Sequence, residues 1–123
     1  MKFILTISVL VLLTVFSSCT SENRDNARAY VEGKITGNQL KFDEISISLK
    51  SEGKSIAETI PTTSGEFILS GPMLNDSFSL VSNKKIKSFT ASKSGCKISA
   101  DNLEILVPTG TTYITFNEII VEP

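Results

Sequence analysis

From Tyr30 to Val121 the chain alternates apolar and polar residues with a period of two. In YVEGKITG, Val31, Gly33 and Ile35 fall on one side, Glu32 and Lys34 on the other. Ile45, Ile47 and Leu49 share a face, opposite Ser46, Ser48 and Lys50. Alternation of this kind marks a strand with one face in a core and the other in water. Further runs at about 55–60, 67–69, 78–80, 85–92, 97–100, 103–107 and 113–121 are divided by turn residues. The dividers are Ser51-Glu-Gly-Lys54, Thr63-Ser-Gly-Glu66, Gly71-Pro72, Asn75-Asp76, Ser94-Gly95, Asp101-Asn102 and Pro108-Thr-Gly110. Gly, Asn and Asp are expected there because they supply the positive φ angles of tight connections. Gly71-Pro72 is expected to end the strand of Phe67 and Leu69. Seven or eight short strands at this spacing predict an all-β fold, a single antiparallel β-sandwich or small barrel.

The one apolar stretch of helical length stands apart from this pattern. Met1-Lys2 carries a positive charge, Phe3 to Phe16 is almost wholly apolar, and Ser17-Ser18-Cys19 follows. A charged start, an apolar middle and small residues before a cut are the layout of a secretory signal. Spanning a bilayer takes roughly 20 apolar residues, so this run suits a leader better than a transmembrane helix. With cysteine directly after the small residues, the segment resembles the bacterial lipobox. That resemblance implies cleavage before Cys19, a diacylglycerol on its thiol and a membrane anchor made of acyl chains. Phe16 stands where an aliphatic residue is usual, and a secreted protein cut near Ser18 without lipid is the alternative. Thr20 replaces the Asp associated with inner-membrane retention in many Gram-negative lipoproteins, which implies an outer-membrane address. The expected organisation is a leader over 1–18, a polar tether over 19–29 and a folded domain over 30–123. The tether, TSENRDNAR after the cysteine, has no large apolar residue to bury.

Of 123 residues, a mature chain of this kind keeps enough for one core. Loss of Lys2 with the leader moves the formal net charge from −1 to −2. That balance gives no footprint for nucleic acid. The distribution is uneven: residues 77–100 hold Lys84, Lys85, Lys87, Lys93 and Lys97 with no acid, while 101–123 hold four acids and no base. A basic strip beside an acidic one is the expectation. Cys96 is the only other cysteine, so acylation of Cys19 leaves no intramolecular disulfide.

The order Val31-x-Gly33-x-Ile35, Ile45-Ser-Ile-Ser-Leu49, Thr62-Thr-Ser-Gly65-Glu-Phe67 and Phe78-Ser-Leu80 resembles the carboxypeptidase regulatory-like domain, itself similar to transthyretin. Its signature runs V-x-G-x-V, A-x-V-x-L, T-D-x-x-G-x-F, Y-x-L, and the match spans 30–82. The resemblance implies a seven-stranded sandwich in which a glycine closes a hairpin and the following aromatic plugs the core. Thr63 stands where the family has Asp, and Leu103–Val121 has no counterpart. The segments Gly33-Lys-Ile35-Thr-Gly37 and Gly65-Glu-Phe67-Ile-Leu-Ser-Gly71 also resemble the N-terminal β-domain of lipid-anchored envelope proteins that carry a thioredoxin-like module. No Cys-x-x-Cys is present, so no redox function follows.

Chemistry is bounded by what is missing. Without histidine there is no His-based triad, general base or metal ligand. Lys93 and Lys97 flank Cys96 and are expected to lower its pKa; a small packed hydrophobe is the plainer role. Asp43-Glu44 and the pair Glu66 and Asp76 are candidate carboxylates for glycoside hydrolysis, but a domain this size offers little cleft. No calcium-loop pattern or cofactor motif occurs, and the Asn75-Asp-Ser77 sequon is a chance match. The expectation is a non-enzyme without cofactor.

For binding, Phe42, Phe67, Phe78, Phe89 and Phe116 suit a core, which leaves Tyr30 and Tyr113 as rings with polar tips for a sugar. Lys84, Lys85 and Lys87 are candidates for an acidic glycan or phosphate; guarding a sheet edge is their plainer use. The leading expectation is an anchored module that binds or positions a protein or glycan at the envelope. Assembly or inhibition through a sheet edge or loop is the alternative.

Overall fold

The structure, a computed structural model, describes residues 27–123. The leader, Cys19 and most of the tether lie outside the described residues. Nine strands carry the fold: β1 (Arg28–Thr36), β2 (Ile47–Ser51), β3 (Lys54–Thr59), β4 (Glu66–Pro72), β5 (Ser79–Ser82), β6 (Ile86–Ala91), β7 (Lys97–Ile98), β8 (Glu104–Leu106) and β9 (Tyr113–Val121). They form a four-stranded sheet, β4-β1-β9-β6, and a five-stranded sheet, β3-β2-β5-β8-β7. The all-β reading holds, with two sheets around a common core.

Alternation decides which residues fill that core. Val31 and Ile35 from β1, Leu69 from β4 and Ile114, Phe116 and Ile119 from β9 are buried in one sheet. Ile47 and Leu49 from β2, Leu80 from β5 and Ile105 from β8 are buried in the other. All belong to one hydrophobic cluster, and the edge of Phe89 meets Phe116 with centroids 5.9 Å apart. Gly33 makes room for an aromatic ring: a Cβ there would lie 2.7 Å from Phe67 Cζ.

Four expectations need correction. The sheets are not wholly antiparallel, since β1 and β9 pair in parallel from Tyr30↔Tyr113 to Thr36↔Ile120. They are the first and last of the described strands, so no hairpin forces them to oppose; the strands between form their crossover. The strands among the described residues number nine and not seven or eight: every alternating run pairs, the one at 97–100 as the two-residue strand Lys97–Ile98 against β8. β1 takes in Arg28 and the fully buried Ala29, which the sequence assigned to the tether. β4 continues through Gly71-Pro72, because proline is tolerated on an edge strand.

Turn chemistry is mostly as expected. Glu52 and Gly53 both take positive φ (50° and 75°), the signature of a type I′ turn joining β2 to β3. Gly65, Gly95, Asn102 and Gly110 also have positive φ. Asn75 and Asp76 do not; there the Asn75 Oδ1 accepts the Ser77 N–H at 3.0 Å and closes the turn itself.

Hydrogen bonds tie the two ends of the body. At the end where the described chain enters, Met73 N–H donates to Ala27 O at 2.9 Å. Here the buried Ser51 hydroxyl accepts the Leu74 N–H and donates to Ser77 O. At the opposite end Asn83 acts as a clamp: its Nδ2 donates to Glu44 O and its Oδ1 accepts Ser46 N–H, both at 2.9 Å.

Candidate functional site

Residues of β4, β1 and β9 that point away from the core form the outer face of the four-stranded sheet. Register places Tyr30 between Ser70 and Tyr113, and Glu32 between Ile68 and Thr115. The two tyrosine rings stack at 5.2 Å with an 8° interplanar angle. Register causes this, since directly facing residues of neighbouring strands project side by side. Tyr113 Oη donates to Glu32 Oε1 at 2.9 Å, and Thr115 Oγ1 donates to the same oxygen at 3.3 Å. Glu32 is thereby held by two hydroxyls while its other oxygen takes part in neither bond. Beside it lies a shallow depression of about 330 Å³ bordered by Glu32, Lys34, Ile68, Thr115 and Asn117. Tyr113 is 50% exposed and Ile68 61% exposed. Ring faces, a positioned carboxylate and amide and hydroxyl groups around a shallow floor are suited to a hydroxyl-rich ligand.

The sequence candidates do not converge on one site. Tyr30 and Tyr113 come together, whereas Lys84 and Lys85 occupy the β5–β6 turn and Lys87 lies on β6. Ile86 pairs with Val121, at the far end of β9 from Tyr113. Eight residues of strand separate those positions, roughly 26 Å at the usual rise. Lys84 borders a small cleft of about 140 Å³ with Gln39, Leu40, Lys41 and Glu44. Lys87 sits where the β6–β9 register shifts, and β6 is an edge strand. A lysine at an edge bulge discourages pairing with other chains, so the edge-guarding role fits Lys87.

A second polar group was not visible in the sequence. On the outer face of the five-stranded sheet, Lys50 Nζ meets Glu104 Oε2 at 3.1 Å, and the Ser79 hydroxyl donates to Glu104 Oε1. The three residues come from β2, β8 and β5, which are neighbours only once strand order is known. Lys50 is spent on this ion pair. Ser99 and Asp101 close the β7–β8 turn. The Asp101 carboxylate accepts from the Ser99 hydroxyl and from the Leu103 N–H at 3.1 Å, and these bonds hold it below the usual carboxylate range.

The expectation for Cys96 is corrected. Partial burial pushes its thiol up; Lys93 and Lys97, both exposed, do not lower it. A protonated, half-buried thiol is a poor nucleophile. Among the described residues no group of three or more Cys, Asp or Glu is placed to hold a metal ion.

No protein-family model matches the chain, and no curated protein or solved structure matches it either. The functional reading therefore rests on the site itself.

Proposed function

We propose that the protein is a lipid-anchored, non-catalytic envelope module whose β-sandwich head holds a glycan on the outer face of the four-stranded sheet. The anchor is the diacylated thiol of Cys19 after removal of residues 1–18, with the outer membrane as its address. The head is transthyretin-like in design. Supporting this, Val31 and Ile35 lie on β1, Leu49 on β2, Gly65 directly before β4, Phe67 on β4 and Leu80 on β5, in the order of the carboxypeptidase regulatory-like signature. The apolar members of that set are all buried.

One observation carries the ligand reading: the stacked Tyr30–Tyr113 pair with Glu32 fixed beneath it. Sugar rings present apolar C–H faces to aromatic rings and vicinal hydroxyls to carboxylates. An exposed tyrosine next to a pre-oriented carboxylate answers both demands. The lysines of the β5–β6 turn are too far away to share this ligand.

Retention of the purified head on a panel of immobilised envelope glycans tests the proposal. Tyr113→Ala is expected to weaken retention by about tenfold or more, the scale of a lost anchor residue. Its melting temperature should stay nearly unchanged, because half of the ring already faces water. Glu32→Gln should weaken retention too. A head that ignores every glycan yet pulls down a stoichiometric protein partner through the same face would replace the glycan with a protein.

A further inference from the structure

The two sheets have four edge strands, β4 and β6 in one and β3 and β7 in the other. An open edge is a template for another chain unless it is blunted. Three of the four are blunted. β6 carries Lys87 at a register shift and has a second shift before Ala91. β7 is two residues long and starts with Lys97. β3 carries Lys54 and Glu58 and meets β2 across a shift. β4 keeps seven unbroken pairs with β1, from Arg28↔Pro72 to Lys34↔Glu66. It has no lysine, and it turns Ile68 to solvent.

Hydrogen-bond parity shows which groups face the open side. Tyr30 N–H donates to Thr112 O, toward β9, while Ile35 N–H donates to Gly65 O, toward β4. Odd residues of β1 therefore serve β4, odd residues of β4 answer them, and even residues of β4 turn outward. Of these, Glu66 is already occupied: its N–H donates to Thr62 Oγ1 at 3.2 Å and its C=O accepts the Thr62 N–H at 2.9 Å. Pro72 has no N–H. Ile68 and Ser70 are left as complete pairs, with two donors and two acceptors, and Pro72 keeps a lone carbonyl.

We infer that β4 pairs antiparallel with β4 of a second copy of this chain, about a two-fold axis through Leu69. Ile68 then faces Ser70 of the second copy and the reverse, which uses all four groups on each strand. The next positions set Glu66 against Pro72, where the ladder ends without a loss. Other registers end badly. Ile68 against Ile68 leaves each Ser70 facing an occupied Glu66, and Ser70 against Ser70 puts Ile68 against a residue with no N–H. Charge agrees with the first register. Glu66, next to its own Lys34, comes into one row with Pro72 and the exposed Arg28 of the second copy, so signs alternate across the seam. Each Ile68 falls in a row with Ser70 and Tyr30 of the other copy and loses its exposure. The axis is normal to the sheet, so both outer faces stay on one side. The product is a continuous eight-stranded sheet with two Tyr30–Tyr113 pairs on a single surface. Pairing depends on the edge alone, whatever those tyrosines bind.

Sedimentation of residues 20–123, which contain both sheets and their core, should show dimer growing with concentration. Amide exchange gives an independent readout. Exchange at Ile68 and Ser70 should slow as dimer forms, while Leu69, whose N–H already serves β1, stays constant. Ser70→Pro removes an N–H that the single copy does not use and should weaken pairing by about tenfold. Glu66→Arg should weaken it as well, and adding Arg28→Glu should restore part of the loss. The inference is overturned by a chain that stays monomeric at every concentration. A dimer with unchanged Ile68 and Ser70 exchange overturns it too. So does protection that appears only when an extended foreign peptide is added, which makes that peptide the occupant.

Discussion

A Cβ at position 65 would lie 2.3 Å from the Ile35 carbonyl oxygen, and the backbone there has a φ of +88°. Both facts require glycine, one through space and one through conformation. Gly65→Val should cost about 2–4 kcal/mol, the range for a strained backbone that must also shift, measured as a lower urea midpoint. Asp101 acts at the same scale through a proton. Its carboxyl is depressed by Ser99 and Leu103, so its contribution to stability is complete above the ordinary Asp range. The contribution fades as pH falls through the depressed value. An NMR titration should place the Asp101 midpoint below that of a free aspartate. In Asp101→Asn, the part of acid destabilisation that belongs to this turn should vanish.

Elements add couplings that no single residue has. Lys50, Ser79 and Glu104 join β2, β5 and β8 on the solvent side of the five-stranded sheet. Glu104 is 18% exposed and Lys50 40%, so screening keeps the ion pair modest. A double-mutant cycle with Lys50→Met and Glu104→Gln should give a coupling of about 0.5–1 kcal/mol. The contrast between this group and the core shows what a sequence can carry. Val31, Ile47, Leu49, Phe67 and Leu80 announce themselves because burial has a period, and the period is local. The Glu52-Gly53 turn is legible for the same reason. Pairing of β1 with β9 is not local: Tyr30 and Tyr113 look like two lone rings until a long crossover sets them side by side. Asn83 reaches Glu44 and Ser46 from another strand connection, and nothing in its neighbourhood signals that. The lysines mislead for the opposite reason. Closeness in sequence suggested a patch, but the β5–β6 turn and the β6 edge spread them along the far end and side of the body.

For the whole molecule, the folded body and the proposed lipid anchor at Cys19 are separable. All described strands lie beyond Ala27, so Cys19→Ala should leave the head's circular dichroism and melting temperature intact. A single acyl chain holds a protein on a bilayer only marginally, whereas two or more hold it stably. The variant should accordingly move from the membrane fraction to the soluble one, as read by fractionation of cells expressing it. Retention of the membrane fraction at wild-type level would remove the lipid anchor from the proposal.

β9 lies between β1 and β6 at the centre of its sheet, although it is the last of the described strands. During synthesis, β1, β4 and β6 emerge with the middle of their sheet still missing. Until β9 is made, β6 has no neighbour in its sheet and β1 keeps a single partner. Sequence-distant pairing of this sort folds slowly. A nascent chain that stays loose until β9 arrives is one that a translocation channel, as the proposed export requires, can still thread.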